Sequence, residues 1–408
     1  MKILGIIAEY NPFHNGHAFH IREALKISNC DAAVIVMSGD FVQRGEPAIF
    51  PKHVRAKMAL SEGASVVLEL PAYFATGSAE YFARGAVSLL HSLGCIDALC
   101  FGSESGNLKE LEEIAEILLE EPEPYKALLQ TYLRQGMSYP LARQQAFSAY
   151  TKKEHLSKML TEPNNILGIE YLKALFSLHS DIQPFTIVRK GAGYHKTSLH
   201  ETYSSASAIR KCLVQNDLES VSVQVPSISY EFMQEYCEKK GPVTCDDFSL
   251  LLKYRLLSET PESLCTYADI SEDLAHRIMN QRNHLVSWSQ FCELLKTKEL
   301  TFSRISRALM HIVLDIRKTD LSSCKTDGFC QYARVLGFRK PDRFVLKACK
   351  DQSQIPIITK IGNCDTLSKT GMRMLEKDCY AANLYETVVT DKFRTSFTEE
   401  HSKSLCIL

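Results

Sequence analysis

Short apolar runs alternate with amphipathic segments along the first half of this chain. The apolar runs have the length of buried strands and end at turn residues; they are Ile3–Ala8, Ala32–Met37, Val66–Leu70, Ala98–Phe101 and Pro184–Val188. The segments that repeat apolar residues at helical spacing are His17–Ser28, Pro51–Ser61, Ala79–Ser92 and Leu108–Leu119. Repeated strand–helix units predict a parallel sheet with helices on both faces.

This rhythm is interrupted within the first half and changes in the second. Residues 122–177 are mostly helical by pattern, which predicts a helical insertion between the fourth and fifth strands. The last part of the chain is mainly helical, with two strand candidates at Phe329–Val335 and Ile355–Ile361. We therefore expect an α/β domain over residues 1–217 and a mainly α-helical C-terminal domain over residues 218–408.

Composition narrows the class of protein. With 408 residues, 45% of them hydrophobic and 23% charged, the chain is typical of globular proteins. The net charge of −1 means that any contact with nucleic acid must come from a local basic patch. No apolar run approaches the ~20 residues of a membrane span, and the N-terminus lacks a signal-peptide pattern, so we expect a cytoplasmic protein without membrane contact. The 14 cysteines contain no C-x-x-C pair, and no structural metal is expected.

The segment Glu9–His17 follows the run Ile3–Ala8 and predicts a strand, a turn with two histidines around a glycine, and a helix. This arrangement suits a site that holds ATP, because Gly16 lets backbone approach a phosphate and the helix points amide N–H groups at it. His14 and His17 can donate hydrogen bonds to charge that develops on an α-phosphate as pyrophosphate leaves. A histidine pair beside a glycine is also common without such a role, but the edge of an open parallel sheet favours the catalytic interpretation.

A second stretch, Tyr203–Lys211, follows the last predicted strand of the first half and opens a helix. Small hydroxyl residues at a helix N-terminus, such as Ser205 and Ser207, can cap the helix and bind phosphate oxygens. Arg210, about one turn further on, could reach a β- or γ-phosphate with its planar guanidinium. The alternative is a capped helix with an arginine that faces solvent.

These stretches resemble known signatures. The tetrapeptide His14-Asn15-Gly16-His17 resembles the H-x-G-H signature of the nucleotidylyltransferase superfamily. The segment Ser205–Arg210 is similar to its second signature, S-S/A-T-x-I/L-R, with serine in place of threonine, and Arg55–Met58 resembles its R-x-x-M segment. Further segments match the bacterial tRNA(Met) cytidine acetate ligase family, which the chain resembles over most of its length; they are Glu9–His17, Met37–Pro47, Phe101–Glu104, Pro163–Gly168 and Glu293–Lys298.

The resemblance implies a Rossmann-like nucleotidylyltransferase domain and a tRNA-modifying ligase. Members of that family activate acetate with ATP as acetyl-adenylate, release pyrophosphate, and acetylate the exocyclic amine of the wobble cytidine of elongator tRNA(Met), which forms N4-acetylcytidine. Two other classes stay open: a small-substrate adenylyltransferase of coenzyme biosynthesis and a non-catalytic RNA-binding relative. The long extension 218–408 argues against the first, and the intact His14, Gly16, His17 and Arg210 argue against the second.

The resemblance also implies roles for individual residues. His14, His17 and Arg210 would be catalytic. The ATP-binding residues would be Ile7, Ala8, Glu9, Tyr10, Asn11, Pro12, Phe13, His14, Asn15, Gly16, His17, Ala18, Phe19, His20, Gly102, Asn165, Arg189, Lys190, Ser205 and Ser207. Asn164 is an acceptable substitute for the role of Asn165. Mg²⁺ is expected to arrive with ATP, held by its phosphates rather than by the protein.

Two polar features have competing interpretations. In the loop Ser38–Pro47, polar side chains could orient acetate or cytidine, or could simply be solvated; they are Asp40, Gln43, Arg44 and Glu46. Two basic clusters could follow a tRNA backbone or lie in solvent. The first has the spacing of one helical face, and its members are Arg304, Arg307, His311 and Lys318. The second contains Arg339, Lys340, Arg343, Lys347 and Lys350.

Overall fold

A computed structural model of the chain describes residues 1–189, 205–362 and 364–408. The strands in these ranges are β1 (Ile3–Ala8), β2 (Ala32–Ser38), β3 (Phe41–Val42), β4 (Glu46–Pro47), β5 (Val66–Leu70), β6 (Ala98–Ser103), β7 (Gln183–Val188), β8 (Ala333–Phe338), β9 (Ile357–Ile358) and β10 (Cys406–Ile407). The five strands predicted in the first half are confirmed as β1, β2, β5, β6 and β7, with ends that differ by at most two residues.

Helices occupy most of the remaining chain. Up to β7 they are α1 (Asn15–Ser28), α2 (Lys52–Ser61), α3 (Ala72–Ala75), α4 (Ala79–Ser92), α5 (Leu108–Glu120), α6 (Glu123–Arg134), α7 (Tyr139–Thr151), α8 (Glu154–Met159) and α9 (Pro163–Ser177). The later ones are α10 (Ala206–Val214), α11 (Ser227–Cys237), α12 (Ser249–Leu257), α13 (Pro261–Leu264), α14 (Glu272–Gln281), α15 (Trp288–Leu295), α16 (Phe302–Leu314), α17 (Lys318–Thr326), α18 (Arg343–Gln352) and α19 (Lys369–Phe393). None of these described helices is both long and apolar enough to cross a membrane.

The main sheet has the strand order β10-β8-β5-β2-β1-β6-β7, with β9 beside β8. The strands β5, β2, β1, β6 and β7 are parallel, as predicted. The chain starts in the middle at β1, builds outward through β2 to β5, and then crosses to β6 on the other side. The strand order therefore reverses between β1 and β6, and in open α/β sheets such a reversal leaves a crevice for a ligand at the carboxyl ends of the strands.

Helices cover both faces of the sheet, which explains why its central strands are continuously apolar. Successive residues of β2 point into opposite layers: Val34 and Val36 pack in the layer that contains Leu90 of α4, whereas Ile35 packs in the layer with Ile21 of α1. All three β2 side chains are fully buried. At about 25 cal/mol per Å² of apolar surface, burial of such strands supplies much of the drive to fold.

The second half of the chain is largely helical, as predicted, but its strands extend the same sheet. The candidate Phe329–Val335 only overlaps β8, which begins four residues later and ends three residues later, and the candidate Ile355–Ile361 contains the two-residue strand β9. β8 pairs antiparallel with β5 and parallel with β9. Residues 122–177 contain α6, α7, α8 and α9 between β6 and β7, where the sequence predicted mainly helical structure. The domain boundary at residue 217 stays a prediction, since the two parts share one sheet.

Candidate active site

A cleft of about 470 Å³ opens at the carboxyl ends of β1 and β6, the place that the reversal of strand order indicates. Its walls come from the turn after β1, the start of α1, the β3–β4 hairpin, the end of β6, the start of α9, the end of β7 and the start of α10. This volume falls within the roughly 300–1,000 Å³ of typical small-molecule sites. Most of the residues predicted to bind ATP meet here.

His14 and His17 together cap helix α1. The Nδ1 atom of His14 accepts a hydrogen bond from the Gly16 N–H at 3.0 Å, and Nδ1 of His17 accepts one from the His14 N–H at 3.3 Å. The two rings stack with centroids 3.7 Å apart. Because each Nδ1 is an acceptor, this pattern assigns the proton of each neutral imidazole to Nε2. Both rings line the cleft and can donate an Nε2–H bond there.

The same surroundings keep both imidazoles neutral. Burial lowers the pKa of His14 to about 3, and the positive charges of Arg189 and Arg210 contribute to the shift. Burial also lowers the pKa of His17 well below its ordinary value, with smaller contributions from His14, Arg189 and His20. Near neutral pH these histidines are therefore hydrogen-bond donors without a net charge.

Gly16 makes room for this arrangement. A Cβ atom at position 16 would lie 2.9 Å from Cε1 and 3.0 Å from Nδ1 of His14. Gly16 belongs to the first turn of α1 rather than to the turn before it. Glycine at this position therefore leaves room for the His14 ring, in addition to the close approach to a phosphate that the sequence predicted.

The second signature folds against the first. The Ser205 hydroxyl caps α10 by accepting a bond from the Ala208 N–H at 3.2 Å. Arg210 donates from Nη1 to the carbonyl oxygen of Asn11 at 2.8 Å, and its guanidinium lies 3.8 Å from the carboxylate of Glu46. Arg210 thus faces the turn after β1 and lines the cleft with Ser205 and Ser207, so the solvent-facing alternative is wrong.

Gly102 and Arg189 form the opposite end of the cleft. A Cβ atom at Gly102 would lie 3.1 Å from Cγ of Arg189, so glycine allows the arginine to cross the end of β6. Nη1 of Arg189 donates to Oδ1 of Asn164 at 2.6 Å. Lys190, predicted as its neighbour in the site, lies outside the described residues.

Asn165 does not line the cleft, whereas Asn164 does. The Asn165 side chain is fully buried; its Oδ1 accepts from the N–H groups of Glu104 at 2.9 Å and Ser105 at 3.2 Å, and its Nδ2 donates to Glu162. These bonds hold the loop after β6. The Asn165 side chain therefore lies behind the cleft wall whereas Asn164 lines the cleft, and a contact with the nucleotide stays a prediction for either residue.

The predicted run from Ile7 to His20 divides between cleft and interior. The residues that line the cleft are Ile7, Ala8, Glu9, Tyr10, Asn11, His14, Gly16, His17, Phe19 and His20. Phe13 and Ala18 are buried in the layer beneath. Asn15 binds elsewhere, since its Nδ2 donates to the carbonyl oxygen of Val223 at 3.0 Å. Pro12, Phe13, Asn15 and Ala18 are thus absent from the lining.

The loop Ser38–Pro47 is a β3–β4 hairpin pressed against the helical half. Gly45 has φ +70°, and a Cβ atom there would lie 2.3 Å from the backbone nitrogen of Arg307 in α16. The Ser306 hydroxyl donates to the Gly45 carbonyl at 2.8 Å. The interpretation as a solvated loop is therefore wrong: Gln43, Arg44 and Glu46 line the cleft, while Asp40 is buried outside it. The sequence contains no local signal for these contacts with α16.

Arg55, of the R-x-x-M segment, lies beneath the cleft and does not line it. Its guanidinium is fully buried and donates to the carbonyl oxygens of Glu9 at 2.5 Å, Ser38 at 3.1 Å and Gly39. It thereby joins the ends of β1 and β2 and positions the turn that carries the histidines. The cleft also has an apolar wall that the sequence did not indicate, made of Val42, Phe82, Phe101, Leu167 and Tyr171.

Comparisons with known proteins identify the family. A model of the HIGH Nucleotidyl Transferase family matches residues 1–401. The tRNA(Met) cytidine acetate ligase of Alkaliphilus metalliredigens is 39% identical, with 99% of this chain and 98% of that protein covered. The enzyme of that name from Thermoanaerobacter sp. (strain X514) is 44% identical, with 94% and 95% covered. This chain belongs to the tRNA(Met) cytidine acetate ligase family.

Solved structures support the same conclusion. The apo structure of Thermotoga maritima TmcAL superimposes with a TM-score of 0.94 at 34% identity, and covers 100% of this chain and 99% of that one. The structure of Thermotoga maritima TmcAL bound with alpha-thio ATP has a TM-score of 0.92 at 33% identity, with both chains fully covered. The Rossmann-like α/β fold and the helical C-terminal region predicted from sequence are thus confirmed for this family member.

The two basic clusters differ in this family member. In the first, His311 is buried, with its Nδ1 3.1 Å from the Ala268 carbonyl oxygen, and Arg307 pairs with Asp269 at 2.8 Å. The prediction that all four residues share one helical face is wrong, because Lys318 begins α17 whereas the other three lie on α16. Part of the α16 face also packs inside, so the four residues do not form a common surface for tRNA. In the second, the exposed members are Lys340, Arg343, Lys347 and Lys350. The backbone N–H of Arg339 donates to the Ser65 carbonyl oxygen at 3.0 Å. This bond lies at the amino end of β5, away from the cleft edge.

Proposed function

We propose that this chain is an ATP-dependent tRNA(Met) cytidine acetate ligase. It joins acetate to ATP as acetyl-adenylate with release of pyrophosphate, and then acetylates the exocyclic amine of the wobble cytidine of elongator tRNA(Met) to N4-acetylcytidine. Family membership over nearly the whole chain supports this proposal. It acts in the cytoplasm, and Mg²⁺ reaches the site with the phosphates of ATP.

The observation that carries the proposal is the histidine cap of α1. Two neutral imidazoles, each with Nδ1 occupied by a backbone N–H, direct Nε2–H donors into a cleft that also receives the N-termini of α1 and α10. Fixed donors of this kind stabilise negative charge without the reorganisation that water would need. They suit an α-phosphate that is attacked by a carboxylate while pyrophosphate leaves.

The places of the other residues around the cleft support roles for them in the same proposal. Arg210, with Ser205 and Ser207, binds the β- and γ-phosphates at the start of α10. Gly102, Arg189 and Asn164 hold the nucleoside end. Residues 1–217 supply this site, and residues 218–408 supply much of the surface for tRNA.

The experiment is isotope exchange between pyrophosphate and ATP. We expect exchange that requires acetate, because exchange reports reversible formation of the adenylate without any tRNA. Exchange that instead requires a mononucleotide or phosphopantetheine would identify a coenzyme adenylyltransferase and overturn the proposal. Binding of tRNA without exchange under any of these conditions would identify a non-catalytic RNA-binding protein.

The exposed basic surface formed by Lys340, Arg343, Lys347 and Lys350 is our proposed contact with the tRNA backbone. The double variant Lys340→Glu/Arg343→Glu should weaken tRNA binding and reduce the slope of log affinity against log salt by about one per lost phosphate contact. Acetate-dependent exchange should not change, because the surface lies away from the cleft edge. The exposed Lys109 provides a charge-reversal control, and an unchanged salt slope would assign tRNA to another surface.

A further inference from the structure

Three carboxylates line the described part of the cleft, and their surroundings differ. Glu104 is engaged by the start of α9: its Oε1 accepts from Nδ2 of Asn164 at 2.6 Å and its Oε2 from the Asn165 N–H at 2.7 Å. Glu46 lies 3.8 Å from the guanidinium of Arg210. The Glu9 carboxylate accepts one bond from the described residues, from the Gln43 N–H at 2.8 Å, and forms no ion pair with them.

The histidines of the cleft are poor proton acceptors. His14 and His17 use Nδ1 to accept backbone N–H bonds, and their Nε2 atoms already carry hydrogen. Burial lowers the pKa of His20 to about 4, and its Nε2 lies 3.8 Å from the Cys100 sulfur. A step that releases a proton in this cleft therefore requires another group.

Acetyl transfer is such a step. The exocyclic amine of cytidine is a weak nucleophile because its lone pair is delocalised into the ring. When its nitrogen bonds to the acetyl carbonyl carbon, the bond from that carbon to the phosphate oxygen breaks and AMP departs with the electron pair. One N–H proton must then leave the nitrogen, and a positioned base typically accelerates such a transfer by about 10²–10⁴-fold.

We propose that the Glu9 carboxylate is the base that accepts this proton. Glu9 lies one residue beyond β1, on the same turn that leads to His14, and the turn therefore brings its carboxylate beside the proposed adenylate site. Its bond to the Gln43 N–H holds the side chain against the β3–β4 hairpin. This assignment rests on the proposed ligase function.

The charged groups around Glu9 influence the pKa of its carboxyl group, which decides how well it can accept a proton. Burial raises its pKa, and the negative charge of Glu46 acts in the same direction. The Gln43 N–H and the charges of Arg44 on the hairpin and Arg210 on α10 oppose that rise only in part. From the remaining elements, Arg55 on α2 donates to the Glu9 carbonyl, and Tyr171 on α9 is close enough for the Glu9 charge to raise its pKa.

The sign of the pH dependence follows. The carboxylate form is the active base, and its pKa lies above the ordinary range of a glutamate, so acetyl transfer should rise with pH through that raised value and then level off. The chemistry of adenylate formation does not use this base. Its rate should not show the same acidic limb.

The test compares two nucleophiles on the variant Glu9→Gln. Glutamine keeps an oxygen that can accept the Gln43 N–H, so the hairpin contact remains, but it cannot accept the proton. Hydroxylamine, a strong nucleophile without prior deprotonation, traps acetyl-adenylate as acetohydroxamate. We expect tRNA acetylation to slow at least about 100-fold more than hydroxamate formation and acetate-dependent exchange, and to lose its acidic limb.

Two further variants complete the design. Glu9→Asp restores a base and should acetylate tRNA faster than Glu9→Gln, whereas Glu120→Gln, at an exposed position of α5, should match wild type. Equal losses of hydroxamate formation and tRNA acetylation in Glu9→Gln would overturn the assignment, because Glu9 would then serve adenylate formation or folding. Undiminished tRNA acetylation would overturn it as well. A wild-type protein without acetate-dependent exchange would instead refute the ligase function.

Discussion

The cleft and a buried ion cluster are two polar regions at the same sheet, and they differ in whether their polar groups pair with other groups of the protein. The ion cluster comprises Lys52, Glu69, Arg334 and Glu400. The Lys52 ammonium lies 2.6 Å from Glu69 and 2.8 Å from Glu400, and Arg334 contacts the same two carboxylates at 2.9 and 2.6 Å. Every charge in the cluster has opposite charges as neighbours.

The cleft leaves polar groups directed at a ligand instead. The Nε2–H groups of His14 and His17 make no hydrogen bond to the described residues, and neither does the buried hydroxyl of Tyr10. Burial opposes charge in both regions. In the cleft it keeps the histidines neutral, whereas in the ion cluster the carboxylates outweigh it and raise the pKa of Lys52. The ion cluster, whose charges pair with one another, therefore stabilises the fold. The cleft, whose histidine donors are not paired with the described residues, can bind a ligand.

The ion cluster also joins the two halves of the chain. Lys52 and Glu69 come from α2 and β5, while Arg334 lies on β8 and Glu400 lies near the C-terminus. The cleft, by contrast, is built almost wholly from the first 210 residues. The comparison predicts that variants of the cluster lose stability and variants of the cleft lose chemistry.

The largest expected effect is that of Lys52→Met. It removes the central cation but keeps most of the side-chain volume, so it leaves buried carboxylates without their partner, which typically costs about 3–5 kcal/mol. We expect urea denaturation to show this loss in the free energy of unfolding. The exposed Lys109→Met is the matched control and should change stability by less than about 0.5 kcal/mol. A comparably small change in the free energy of unfolding of Lys52→Met would mean that the ion cluster does not stabilise the fold.

His17→Ala is the matching test of the cleft. Removing one fixed donor from a site of developing charge typically lowers the rate by about 10²–10³-fold, or about 2.7–4 kcal/mol. We expect a loss of that size in acetate-dependent pyrophosphate exchange, with tRNA binding nearly unchanged. Similar losses of exchange and tRNA binding would indicate a structural role for His17.

His17→Gln separates the cap from the chemistry. Glutamine at this position of a capping box can still bond the N-cap N–H, so thermal stability should remain close to wild type. Exchange should fall as in His17→Ala, because the rigid Nε2–H donor is gone. The exposed His155→Ala serves as the control for both variants.

The sequence anticipated those parts of the fold and site that depend on local pattern. The five central strands and the two signatures could be placed because buried parallel strands are continuously apolar and their carboxyl ends share one edge. The convergence of His14, His17 and Arg210 followed from that edge.

What the sequence did not reveal depends on orientation and on distant contacts. Asn164 and Asn165 are neighbours at the start of a helix, where one residue turns the side chain by about 100°, so pattern alone could not tell which faces the cleft. The helical face of Arg307 and His311 was identified, but its burial depends on packing against Ala268 and Asp269. The ion cluster joins residues up to 348 positions apart and has no local signal.

Gly16→Ala sharpens the comparison because the chemistry should slow while stability stays nearly unchanged. Alanine has a better intrinsic helix propensity than glycine by about 1 kcal/mol, so α1 itself should not be weakened. The added Cβ would lie 2.9 Å from the His14 ring and displace its Nε2–H donor. We expect exchange to fall at least about tenfold, since small misplacements of catalytic groups are costly. Thermal stability should stay nearly unchanged, because the higher helix propensity of alanine offsets the weakened His14 cap. A parallel loss of stability would show that Gly16 matters mainly for folding.

The smallest expected effect concerns Asp378, which adjoins the ion cluster without belonging to it. Its Oδ1 accepts from the Ala72 N–H at 2.7 Å, and the Tyr332 hydroxyl donates to its Oδ2. Burial, followed by the negative charge of Glu69, raises its pKa from 3.8 to about 7, against opposing contributions from those two bonds and from Lys52. The ionised form of Asp378 is thus disfavoured by burial and by Glu69, and the Lys52 charge of the ion cluster offsets this only in part.

The sign of the effect on stability follows from proton binding. Between about pH 4 and pH 7 the folded protein retains a proton on Asp378 that the unfolded chain has lost, so stability falls as pH rises through this window. Asp378→Asn removes the titration and keeps an acceptor for the Ala72 N–H. Urea denaturation across this range should show the wild type losing at least about 1 kcal/mol relative to the variant. Parallel curves would mean that Asp378 is already ionised throughout and that the ion cluster accommodates its charge.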